Sequence, residues 1–305
     1  MRTRIRTRSM LAVKGMSTMG SLSAGEALAA AGGNWTPSME PLFLASGAEV
    51  KDRRAVVNPV TGGVIGVTGP DYAPLPNSLL VEGMERLATS LGQPYRMLRA
   101  DVVEGGRMVR LEAMIGDPKP IVVGDLTART VSVWQGHGGY YPFHFLTEIK
   151  RVVCANGAAV QIPGLSTAFR VRHTSGAAMR VEWKFDQIQA SFGPAVEQVE
   201  AKFSLLAGRS LSRPEALKFF RAYAQENLGQ TAEKLDQTVT DLGAVWDNHR
   251  QQLAGDNYWR AYNAITEWTQ WGGFRTAEAS LVASSVGRTV QAKVDALEFA
   301  VAAAA

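Results

Sequence analysis

Near Lys184 the apolar pattern of this chain changes period, and that change restricts the fold more than any other feature. From Trp35 to Lys184 short β-rich runs alternate with turn signals, at residues 55–57, 64–68, 108–115, 121–123 and 131–134. Beyond Lys184, Val196, Val199, Phe203 and Leu206 recur at helical spacing, as do Leu217, Phe220 and Tyr223. Further helices are predicted over 232–252, 258–271 and 277–300, with breaks near 208–214, 227–229 and 272–273. Two helices precede the change. Ser23 to Glu26 has capping-box spacing ahead of a short helix stopped by Gly32-Gly33, and Asn77 is placed as the N-cap of a helix carrying Leu79, Leu80, Met84 and Leu87 to Gly92.

The expected class is therefore α+β: a largely antiparallel sheet with one early helix, followed by a helical C-terminal region packed on it. The expected parts are a basic, disordered arm over 1–22, an α+β sheet domain over 23–184, and a helical region over 185–305 packed on the sheet as one unit. With 305 residues, 46% of them hydrophobic, the chain can bury a substantial core. It has no run of about 18 apolar residues, so no spanning helix and no membrane partner are expected. A single cysteine excludes an internal disulfide and a four-thiolate zinc site, and a cytoplasmic setting fits best. The first residues, Met1 to Arg8, alternate arginine with small or apolar residues. They read as a phosphate-touching arm, an inert tail or an organelle presequence.

Charge is unevenly placed. Residues 1–184 hold 21 Lys and Arg against 14 Asp and Glu, whereas residues 185–305 hold 11 against 14. That asymmetry favours a polyanionic partner for the first part. Two segments there, Glu148 to Gly157 and Phe169 to Thr174, alternate basic and apolar residues as exposed strands do. Lys150, Arg151, Arg170, Arg172, Arg180 and Lys184 form the strongest cationic cluster, and on a strand Arg170 and Arg172 project from one face. Such a row can track a phosphate backbone, or it can be a solvated face paired with Glu148 and Glu182. Trp134, Tyr140, Tyr141 and Phe143 flank the loop Gly136-His137-Gly138-Gly139. Rings there serve either as stacking platforms for bases or as hairpin packing.

Other chemistry has little support. Cys154 with His144 or His173 lacks an activated elbow and an orienting third residue, so a buried structural cysteine is the expectation. The four histidines have no metal-ligand spacing, and neither glycine-rich phosphate-loop pattern occurs. No catalytic residue, cofactor or metal is expected. On the segment Trp259 to Trp268, the rings Trp259 and Tyr262 with Ile265 are expected to face the core. Arg260, Asn263 and Glu267 share another face, either as ordinary packing or with Asn263 and Glu267 buried to organise the interface.

Several short motifs agree in order and spacing with a known family. They are Ala30 to Trp35 with Pro41-Leu42; Gly63 to Val67 with Tyr72 and Pro76-Asn77; Arg151 to Asn156; Arg172-His173-Thr174; Trp259 to Glu267; and Gly287-Arg288 to Ala296. From Glu26 to Phe299 the chain resembles the phage and plasmid protein family built on domain of unknown function 932. Gly157 stands where that family has threonine after Cys-x-Asn, and the loop at Gln135 to Gly138 departs from its common His-Asp-Gly form. The resemblance implies a phage, prophage or plasmid origin, hence bacterial cytoplasm, and brings no activity.

Three functions follow from these observations. The first is a DNA-binding protein similar to phage single-strand annealing proteins, active in recombination and without bond-breaking catalysis. Single-stranded DNA would lie on a basic sheet face, with subunits assembled as a homo-oligomer. Its contacts would be Lys150, Arg151, Arg170, Arg172, His173, Arg180 and Lys184, with Tyr140 or Tyr141 stacking on bases. The second is a phage accessory or host-takeover protein working through protein contact. The third is an enzyme acting on nucleic acid or nucleotide, which no carboxylate cluster or metal spacing supports.

Overall fold

The computed structural model describes residues 21–122, 125–151, 160–161, 169–228, 230–248, 255–271 and 288–305. The expected arm, Cys154 and Asn156 lie outside them. Its helices are α1 (Ala24–Ala30), α2 (Ser78–Ser90), α3 (Ala177–Gly208), α4 (Arg213–Leu228), α5 (Ala232–Trp246), α6 (Tyr258–Trp271) and α7 (Arg288–Ala304). Strands β1 (Ser38–Phe43), β2 (Glu49–Val57) and β3 (Val64–Thr68) form an antiparallel sheet in that order. A second sheet runs β4 (Tyr95–Val103), β5 (Met108–Val122), β6 (Asp125–Gly136), β7 (Phe143–Arg151) and β8 (Val160–Gln161), with β9 (Phe169–Val171) also paired to β7. The α+β class and the helical C-terminal region are as the periodicity predicts.

Two compact units share the chain. Unit 1 comprises Met1–Gly116, Thr130–Thr147 and Ser166–Ser191; unit 2 comprises Asp117–Arg129, Glu148–Leu165 and Phe192–Ala305. Strands β5, β6 and β7 and helix α3 divide between them, so neither unit is one continuous segment.

In unit 1 the core lies against one face of the large sheet. Val109, Leu111, Val131, Val133, Phe143 and Phe145 are buried, as are Leu80 and Met84 of α2 and Val181 and Phe185 of α3. Phe185 meets the rings of Phe143, Phe145 and Phe169 edge-on at 5.3 to 6.0 Å. Helix α2 receives that ring because residue 83 is glycine: a methyl there would fall 2.0 Å from Phe185 Cζ. The alternate residues carry polar chemistry that is nevertheless buried. Arg110 donates to Glu112 at 2.7 Å and to Ser132 at 3.3 Å, and Trp134 stacks on His144 at 4.8 Å. The short helix α1 has its expected capping box, Ser23 and Glu26 bonding reciprocally, and the Ala24 N–H donates to Tyr95 Oη.

Unit 2 is built from helices whose apolar stripes meet: Phe203 of α3, Phe220 and Tyr223 of α4, Leu242 and Trp246 of α5, and Leu297 of α7 are all buried. As expected, Trp259, Tyr262 and Ile265 face the core of this unit. Arg260, placed on the opposite face by spacing, is buried too. Its guanidinium lies 4.3 Å from the Trp246 ring centroid and donates to the Trp246 carbonyl at 2.7 Å.

Candidate nucleic-acid interface

Strand β7 corrects the expected basic sheet face. Residues 143–149 are buried on both faces, so the alternate residues expected to point outward are covered as well. Arg151 has no exposed side-chain surface: its Nε donates to Asp125 Oδ1 at 2.5 Å, and Trp259 Nε1 donates to Asp125 Oδ2 at 2.7 Å. This saturated ion pair is architecture of unit 2, so Arg151 does not serve a phosphate. Lys150 is half-buried and paired with Glu148 at 3.1 Å. In the same unit, burial pushes the Lys293 ammonium down to about 8 while the Glu148 charge pulls it the other way.

The remaining cations lie in unit 1. Arg170 on β9 and Arg172 just after it are exposed. Arg180 and Lys184 lie on α3 and not on a strand, since the helix begins at Ala177, before the change of period. Arg180 is exposed and donates to Thr174 Oγ1 at 2.7 Å and Ser175 O at 2.9 Å. His173 is buried, and Tyr141 is half-buried against Gly136, where a Cβ would lie 2.3 Å from Tyr141 Cβ. Tyr140 is 61% exposed.

Of these, Tyr140 and His173 line a cleft of about 450 Å³ in unit 1, together with Val67 to Gly69, Asp71, Tyr72, Gly138, Gly139 and Thr174. Its size is in the usual range for small-ligand sites. Glycines set the walls. Gly138 and Gly139 have positive φ, and the backbone at Gly66 and Gly138 approaches so closely that a Cβ on Gly66 would fall 2.6 Å from Gly138 Cα. Three guanidinium groups reach residues of this lining. Arg180 touches Thr174, Arg107 sits 5.3 Å from the Tyr140 ring centroid, and Arg53 Nη1 would lie 3.7 Å from a Cβ on Gly69. Arg53 and Arg180 have no bridging carboxylate among the described residues, while Arg107 has only a long contact to Glu104 at 3.7 Å.

Behind the cleft is a neutral polar cluster. Asn77, expected to cap α2, makes no side-chain cap. Instead its Nδ2 donates to Gly33 O at 2.9 Å, and its Oδ1 accepts from Gln135 Nε2 at 2.6 Å and His137 Nε2 at 2.9 Å. Burial outweighs capping here, because the interior donors of Gln135 and His137 would otherwise have lost this acceptor. Tyr72 and His173 stack in parallel at 5.3 Å, with the Tyr72 hydroxyl 3.3 Å from His173 Nδ1. The Gly138 N–H donates to the Tyr72 oxygen, and burial raises that phenol to about 12, so it stays protonated near pH 7. The other ring nitrogen, His173 Nε2, has no hydrogen-bond partner among the described residues. Thr68 Oγ1 and His137 Nδ1 are also unpartnered. Burial lowers His137 to about 3 and His173 to about 4, keeping both rings neutral near pH 7. His144 is also held down to about 3, by burial and then by the Arg170 charge.

The profile of a domain of unknown function (DUF932) matches residues 64–297, most of the chain and every residue lining the cleft. The chain belongs to that family. The DUF932 match begins at the first residue of β3 and ends inside α7, a shorter span than the motifs from Glu26 to Phe299 suggest. No curated protein and no solved structure matches the chain.

Sequence reasoning identified Tyr140, Arg180 and the glycine loop but missed Arg53, Arg107, Thr68 and Tyr72. A signal existed for Tyr72, which stands among the family motifs. Arg53 and Arg107 sit in unremarkable surface runs, and only folding brings them to one cleft.

Proposed function

We propose that unit 1 binds single-stranded DNA and that this DUF932 protein is a phage or plasmid DNA-binding protein of the strand-annealing kind. The observation that carries the reading is the exposed Tyr140 ring at a cleft reached by three arginines. An unstacked base gains about 1 to 3 kcal/mol on such a ring, and guanidinium groups neutralise the flanking phosphates. A duplex keeps its bases stacked inside and cannot offer one to Tyr140 without extrusion. Arg170 and Arg172 extend the cationic surface beyond the cleft. Holding the backbone while leaving other base edges free is what strand annealing in recombination requires.

Fluorescence anisotropy with a labelled single strand and the matching duplex, at low and moderate salt, tests the proposal. Preference for the single strand is expected, with affinity falling as salt rises. Replacing Arg53 and Arg180 by Gln should reduce the salt slope by about 1.4, at roughly 0.7 per phosphate contact. Absence of binding at low salt would sink the reading.

A second reading has its own support. Phe43, Leu44, Val60, Val64 and Val67, all on or beside the three-stranded sheet of β1 to β3, are large apolar side chains at least half exposed. A set of this kind suits protein contact, with a host protein or a second copy of the chain. Changing Val60 and Val64, neither of which lines the cleft, to Thr should then abolish that association and leave DNA binding intact.

A further inference from the structure

Helix α3 carries a second exposed aromatic ring, Trp183, that sequence analysis did not single out. Trp183 is 56% exposed and Met179, one turn earlier, 71%. Lys184 Nζ lies 4.9 Å from the Trp183 ring centroid and donates to Gln187 Oε1 at 3.2 Å. An indole this open contributes little to the core of unit 1, whose α3 face is Val181, Phe185 and Ile188. Position along the helix gives the exposure meaning. Arg180 sits at i−3 from Trp183 and i−4 from Lys184, so the three side chains share one flank. At about 100° per residue, Glu182 falls about 160° round from Arg180 and, like Lys184, about 100° from Trp183, while Asp186 at i+3 from Trp183 is paired with Arg86 at 2.8 Å. Arg180 itself is fixed to Thr174 and Ser175, where Thr174 lines the cleft. Thr174 thus joins Arg180 to the cleft, and Trp183 with Lys184 follows one turn along the helix, an alternation of ring and cation that suits the bases and phosphates of one strand.

Resting on the proposed reading of the cleft, we infer that Trp183 is a second stacking platform. A single strand leaves the Tyr140 cleft past Arg180 and lays a further base on Trp183, with Lys184 beside its phosphate. A protein partner on this flank is the competing occupant, but the two cations beside the ring favour a polyanion.

Binding of thymidine ligands, from the mononucleotide to oligomers of about 12 residues, separates the possibilities. The wild-type chain should bind more tightly as length increases. Tyr140→Ala should weaken every length. Trp183→Ala should leave the mononucleotide unaffected and weaken the longer strands about five- to 150-fold, with Trp183→Phe restoring most of the loss. Because the side chain is exposed, circular dichroism melts of the Trp183 variants should overlay the wild type. Affinity that does not rise with length, or Trp183→Ala binding all lengths normally while Tyr140→Ala still loses them, would overturn the inference and leave the cleft reading standing. If the wild type binds no length at low salt, the cleft reading fails and this inference with it.

Discussion

Unit 1 and unit 2 each bury a polar cluster, and the two are built on opposite principles. In unit 2 the carboxylate of Asp125 is saturated, taking Arg151 on one oxygen and the Trp259 indole on the other, with no surface open to water. In unit 1 the cluster of Asn77, Gln135, His137, Tyr72 and His173 carries no formal charge, and three of its ring or side-chain atoms have no partner: Gln135 Oε1, His137 Nδ1 and His173 Nε2. A saturated charged cluster holds a fold in one arrangement, and nothing is left over for a ligand. A neutral cluster whose polar atoms are partly unpartnered among the described residues, next to a cleft, keeps binding capacity at some cost in stability.

Acid should break the comparison most strongly. His137, His144 and His173 all lie in unit 1 and are held at about 3 to 4, well under their ordinary 6.5. Their stabilisation is complete above about pH 6.5, where neither folded nor unfolded rings are charged. As pH falls below that value the unfolded rings take protons first, and stability drops until the folded rings also titrate near 3 to 4. Each histidine should remove at most about 1.4 kcal/mol per pH unit in that window. Segment-resolved hydrogen exchange between pH 7 and 5 should show unit 1 opening while unit 2 keeps its protection. Equal loss in both units would erase the distinction.

Next in size is Arg151→Met, which leaves Asp125 charged and buried. It should cost about 3 to 5 kcal/mol in urea denaturation. An Arg151 that served DNA would instead fold normally and bind weakly. Asn77→Ala should cost less, about 1 to 3 kcal/mol, by orphaning the His137 N–H, while the Gly33 carbonyl keeps the Trp35 N–H at 2.9 Å. It should also weaken single-strand binding, since His137 precedes the cleft glycines. The smallest effect belongs to Lys150→Gln. Gln keeps a donor beside the buried Glu148, whose charge also lies near Lys293, so stability should change by about 1 kcal/mol, and anisotropy with a single strand should be unaltered. A clear loss of binding there would return DNA to β7.

Much of the fold was legible because it is local. The capping box at Ser23 and Glu26, the helical stripe from Val196 to Leu206 and the inward rings of Trp259 and Tyr262 follow from period and cap chemistry, which need only neighbours in the chain. The site was legible only in part. Glycines beside Tyr140 signalled a close approach, and the structure makes them a cleft wall. Basic alternation around Arg151 and Arg170 gave the same signal for two different environments: one arginine is sealed in unit 2, the other exposed in unit 1. Alternation sets which side of a strand a residue faces but not what covers that side. By itself, then, the sequence determined the α+β class, the helical stripes and the family. Tertiary structure alone decided that Asn77 turns inward, that Arg151 pairs with Asp125, and that Arg53, Arg107 and Arg180 meet at one cleft. Those outcomes depend on partners far away in the chain, where the balance of burial and pairing is set.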